Sequence, residues 1–146
     1  MMDSIQNQFH ELSFYTLSHK SSEFIHQHIV DAFAVQTADE HTKPIAVIFG
    51  LAGLYLMIEK KFTGREVQQM HMLMSQDKKP WPQIKLPSNR GAITVEDVLA
   101  TNPGSERDEM IYKWCESVWL AFADNRETIT EWMFDYLERW KTCKLK

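Results

Sequence analysis

At 146 residues, 44% of them aliphatic, aromatic or sulfur-bearing, the chain can bury one hydrophobic core, and general disorder is excluded. Sixteen Lys and Arg against twenty Asp and Glu give a formal charge of −4, scattered along the chain, so no nucleic acid is expected as a partner. The two cysteines, Cys115 and Cys143, stand in neither a C-x-x-C pair nor a metal-ligand spacing and read as reduced thiols.

Apolar residues recur at intervals of three and four along most of the chain, so the expected class is all-α, one domain over residues 1–146. Residues 1–8 are expected to be flexible and lack the basic start and apolar stretch of a secretory signal, which places the protein in the cytoplasm. A first short helix, or a strand, covers Phe9 to Leu17. Ser21 or Ser22 can cap a second helix, Glu23 to Gln36, whose apolar positions nearly encircle it. Thr42, with Pro44 in the first turn, opens a third helix that Gly64 closes. Its run from Pro44 to Ile58 is apolar but falls short of the ~20 residues that cross a bilayer, so it reads as a buried core helix and no membrane partner is expected. Ala46, Gly50 and Gly53 share a face there and let a neighbouring helix come close.

Thr63 and Glu66 form a T-x-x-E capping box for a fourth helix reaching about Ser75, with Val67, Met70, His71 and Met74 inward. From 76 to 92, Pro80, Pro82, Pro87 and Gly91 break regular structure, giving a long proline-containing loop that Trp81, Ile84 and Leu86 anchor to the core. Thr94 and Asp97 start a short helix stopped by Asn102-Pro103-Gly104. Ser105 and Asp108 begin the next, with the stripe Ile111, Trp114, Val118 and Phe122, broken near Asp124-Asn125. The last helix carries Ile129, Trp132, Met133, Tyr136 and Trp140 on one side, and its basic tail of Lys141, Lys144 and Lys146 suits the negative end of the helix dipole. The architecture expected is a bundle of five or six helices around the second and third, with the proline loop packed over one end.

Three sets of residues carry chemistry. His28 and Asp31, three apart on one helix face, can meet His71 across a bundle and supply the mixed imidazole and carboxylate ligands that zinc, manganese or iron accept. His26, two residues from His28, points away from it on a helix. The same His28–Asp31 spacing also fits an acid–base pair, though an ordinary buried His–Asp hydrogen bond is the preferred reading of it. Trp81 offers a flat face and Arg90 a forked cation, together a candidate site for a ligand bearing a carboxylate or phosphate. Cys115 lacks a setting that would lower its pKa, and it reads as packing. Five tryptophans in so small a chain also point to self-association that covers part of the aromatic carboxyl half.

The residues Phe24-Ile25-His26-Gln27-His28-Ile29-Val30-Asp31-Ala32, Thr42-Lys43-Pro44-Ile45, Gly53-Leu54-Tyr55-Leu56, Phe62-Thr63-Gly64, Trp81-Pro82 and Trp114-Cys115-Glu116-Ser117-Val118-Trp119 resemble a small uncharacterised bacterial family of unknown function, over about Phe9 to Phe122. The resemblance implies a fold and no activity. It also implies histidines in relatives at two positions that here read Thr37 and Met57, so a metal site of those relatives would be incomplete in this chain. The functional expectation is a non-catalytic small-ligand-binding or interaction protein with its pocket beside His28, Asp31 and His71 or beside Trp81 and Arg90. The alternative is a metal-dependent enzyme, with a divalent ion such as zinc on His28, Asp31 and His71, similar in architecture alone to DinB-like bundles.

Overall fold

The structure, a computed structural model, describes residues 2–18 and 23–144, and among them every regular element is helical. The elements in chain order are α1 (Met2–Ser18), α2 (His26–Gln36), α3 (Pro44–Lys60), α4 (Gly64–Ser75), α5 (Val95–Leu99), α6 (Ser105–Ala121), a 3₁₀ turn (Ala123–Asn125) and α7 (Arg126–Lys144). Among the described residues the bundle therefore has seven α-helices where the sequence suggested five or six. α1 starts at Met2, taking in residues expected to be flexible, and the strand alternative at Phe9 to Leu17 is replaced by helix. The proposed caps Ser21 and Ser22, and Lys146 of the basic tail, lie outside the described residues.

α3 is the axis of the bundle, touching α2, α4, α6 and α7. It is buried almost without interruption from Val47 to Met57, as its unbroken apolar run requires. No helix among the described residues is long and apolar enough to cross a membrane. The small positions on α3 work against α2: a methyl on Gly50 would stand 2.7 Å from the Val35 side chain, and one on Gly53 would collide with the Asp31 carboxyl. Ala46, the third member of that stripe, is exposed.

α6 and α7 close the core with the stripes read from sequence. Ile111, Trp114 and Val118 of α6, the adjoining Phe122, and Ile129, Trp132, Met133 and Tyr136 of α7 are all buried, and Trp140 packs against them. Of the five tryptophans, Trp114, Trp119 and Trp132 are buried within the chain and only Trp81 is exposed. In the same half Leu120 and Phe134 remain exposed. α1 docks through the Phe9–Phe33 ring stack at 4.2 Å, through buried Leu12, and through the Tyr15 hydroxyl, which donates to Asp108 Oδ1 at 2.7 Å and accepts from the Gly104 N–H at 2.9 Å.

Two amides, one half-buried and one buried, tie irregular chain to helices. Gln36, at the end of α2, donates to the carbonyls of Arg90 and Ile93 at 3.1 and 2.8 Å and accepts from the Trp114 indole at 2.9 Å. Asn125 exchanges two hydrogen bonds with the backbone of Lys85, at 2.7 and 2.8 Å. The loop is further held by the Lys79 ammonium on the Trp132 carbonyl and by the Trp132 indole on the Pro80 carbonyl.

Candidate functional site

The α2–α3 contact that the glycines permit encloses a buried polar cluster. Asp31 is 3% exposed, its carboxyl lies directly on Gly53, and Oδ1 accepts from the Gln27 amide at 3.0 Å. Oδ2 has no hydrogen-bond partner among the described residues. Desolvation favours the neutral acid and pushes its pKa well above the ordinary carboxylate range. One turn earlier His28 is 6% exposed, and its Nδ1 also lacks a partner among the described residues. Burial depresses its pKa to about 4, so the imidazole is uncharged at neutral pH. The two side chains share a helix face as their spacing demands, yet the expected His–Asp hydrogen bond is not formed: the carboxyl turns to Gln27 instead. The Cys115 thiol faces this pair from α6, donating to the His28 carbonyl at 3.6 Å. Burial first, and then the nearby Asp31, raise its pKa, which keeps it a thiol.

His71 lies elsewhere. Its Nε2 is 2.8 Å from the Phe49 carbonyl, and its ring leans on Phe49. A carbonyl can only accept, so Nε2 carries the proton and Nδ1 the lone pair. His71 lines a shallow depression with Gln27, Arg65, Gln68, Gln69 and Met72, whereas neither His28 nor Asp31 does. Among the described residues no three His, Cys, Asp or Glu side chains are grouped to hold a metal ion. The zinc expectation on His28, Asp31 and His71 therefore lacks a grouped ligand set among the described residues: His71 lies against the Phe49 carbonyl in a depression that neither His28 nor Asp31 lines.

Trp81 and Arg90 do not form a common site either. Trp81 is 45% exposed, stands edge-on to Phe49, and lines a depression of about 280 Å³ with Pro44, Ile48 and Leu86, where Arg90 is missing. The Arg90 guanidinium instead serves the end of α2, donating to the carbonyls of Ala38 at 2.6 Å and Gln36 at 3.3 Å, while Nε donates to Pro87. Its plane also lies over the Phe122 ring. Carbonyls in the last turn of a helix have no partner within it, and a forked cation satisfies several at once, so these donors are spent on structure.

A further concavity lies at the opposite end of α2. α3 ends with Lys61 in the left-handed region at φ 61°, and Phe24, before α2, takes φ 56°. Thr63 then caps α4 through the box seen in the sequence. Gly64, read from sequence as the end of α3, is instead the first residue of α4 and a point of backbone approach: a Cβ there would lie 1.8 Å from the Phe24 carbonyl oxygen. These two locked turns and the start of α6 wall a cavity of about 440 Å³. Ile25, Met57, Phe62, Ile111 and Tyr112 supply apolar wall, His28 is its buried polar residue, and Glu23, Lys61, Asp108 and Glu109 stand around it. Met57, one of the two positions where the family resemblance implies histidine, thus shares this wall with His28, while Thr37 lies apart with its hydroxyl on the Phe33 carbonyl. The α6 wall was invisible in the sequence, because Asp108 to Tyr112 read there only as the opening of an amphipathic helix. The comparisons agree with the family reading. The chain belongs to a family of unknown function (DUF5946), whose model matches residues 6–123, a span that holds every residue lining this cavity and stops before α7. No curated protein and no solved structure matches the chain.

Proposed function

We propose that this chain is a non-catalytic small-ligand-binding protein of the bacterial cytoplasm, and that its site is the cavity between the start of α2, the α3–α4 corner and the start of α6. The observation that carries the reading is His28: a nearly buried imidazole, with no Nδ1 partner among the described residues, that lines a largely apolar cavity of about 440 Å³. Small-molecule sites have this character, with volumes of roughly 300–1,000 Å³, apolar walls and a few polar groups that fix orientation. Binding rather than reaction is favoured by the protonation states. With a pKa of about 4 the His28 imidazole is a weak proton acceptor at neutral pH, and burial favours the neutral acid of Asp31 and the thiol of Cys115.

A fragment collection screened by ligand-observed NMR, combined with spectra of protein labelled with ¹³C in its histidines, tests this. Bound fragments should move the His28 resonances and leave those of His71 unchanged, since His71 lies in a separate depression. Hits that shift His71 alone, or an absence of hits, would remove the proposal.

A further inference from the structure

Resting on that reading, the charges around the cavity narrow the class of ligand. Three carboxylates, Glu23, Asp108 and Glu109, and one ammonium, Lys61, line the cavity, and Glu109 also pairs with the Lys113 ammonium one turn on at 3.7 Å. Asp108 and Glu109 are adjacent in the first turns of α6, and the Tyr15 hydroxyl holds Asp108 at 2.7 Å. An acidic rim alone would be an ordinary solvated surface. Here two further observations point inward. His28, 6% exposed and without an Nδ1 partner among the described residues, lines the cavity as a neutral imidazole, a polar group with no charge to repel a cation. The Tyr112 ring already carries a cation: the Lys61 ammonium lies 5.9 Å from its centroid and 3.4 Å from its hydroxyl. An aromatic face within about 6 Å attracts an ammonium through its quadrupole, so this wall accepts positive charge beside apolar surface. We infer that the cavity takes a small organic cation, an amine carried on an apolar body, with the ammonium toward the α6 carboxylates and the body against Met57, Phe62 and Ile111.

Lys61 then acts as the site's internal competitor, filling with its own ammonium the place a ligand ammonium would take on Tyr112. This sets two substitutions on the rim in opposition. Glu109→Gln removes attraction at an exposed position and should weaken an amine severalfold, whereas Lys61→Met removes repulsion and should tighten it.

The test uses three molecules of nearly one shape, phenethylamine, phenethyl alcohol and 3-phenylpropionate, by calorimetry at low ionic strength with the His28 resonances as reporter. Phenethylamine should bind about tenfold more tightly than the alcohol, as expected where complementary charge sets the preference. 3-Phenylpropionate should leave His28 unmoved, and the two variants should shift amine affinity in opposite directions while leaving the alcohol as it was. Equal or tighter binding of the alcohol or the propionate, with a His28 shift, would overturn the cation inference and leave the ligand site standing. Silence from all three also overturns it, and silence that extends to the whole fragment collection removes the site as well.

Discussion

Replacing Gly53 by Ala probes the contact on which the α2–α3 core rests. The added methyl would lie 1.9 Å from Asp31 Oδ2 and 2.5 Å from Cγ, distances no carbon contact tolerates. The carboxyl is enclosed, so relief requires it to rotate off its bond to Gln27 or requires α2 and α3 to part. Overpacking in a filled core costs about 1–3 kcal/mol. Stranding the carboxyl adds about 1–3 kcal/mol, and the better helix propensity of Ala returns about 0.5–1 kcal/mol. The net loss expected is roughly 2–4 kcal/mol. Urea unfolding followed by tryptophan fluorescence would show it as a fall in midpoint of ~1–2 M, taking a slope of about 2 kcal/mol/M. The control is Asp31→Ala, which removes the atoms struck: in that background Gly53→Ala should be neutral or slightly stabilising, a coupling of about 2 kcal/mol or more. An equal loss in both backgrounds, or no loss in either, would refute the assigned contact.

Three other outcomes follow from the buried groups. The folded-state pKa of His28, about 4, lies below its ordinary 6.5. Its contribution to stability is therefore complete above pH 6.5 and is lost as pH falls toward 4, about 3 kcal/mol in all; His28→Gln should remove that part of the acid slope in thermal unfolding, leaving the smaller share of His71 and His26, which burial also depresses. Asp31 has the opposite sign: its raised pKa makes stability complete at low pH and erodes it as pH rises through the folded value, so Asp31→Asn should exceed the parent at neutral pH and lose that advantage in acid. Gln36→Ala should cost about 2–4 kcal/mol, since it strands the Trp114 indole and two loop carbonyls, and hydrogen exchange should quicken in residues 90–93 first.

What could be read from the chain is what period and local chemistry determine. The Thr63–Glu66 box, Pro44 at a helix start, the apolar faces of α6 and α7 and the burial of α3 all depend on neighbours within a few residues, and each stands where the spacing placed it. The close approach allowed by Gly50 and Gly53 was legible too, though its partner was not. Only the tertiary structure decided which polar groups meet. His28 and Asp31 share a face as counted, but Gln27, one turn before, holds one carboxyl oxygen and His71 lies against a carbonyl of α3 in a separate depression, so no shared ligand set forms among the described residues. Arg90, a binding residue by type, was claimed by the open end of α2. The cavity joins segments around residues 25, 60 and 110, brought together by two left-handed turns and one glycine against a carbonyl, and such long-range closure leaves no periodic trace in a sequence.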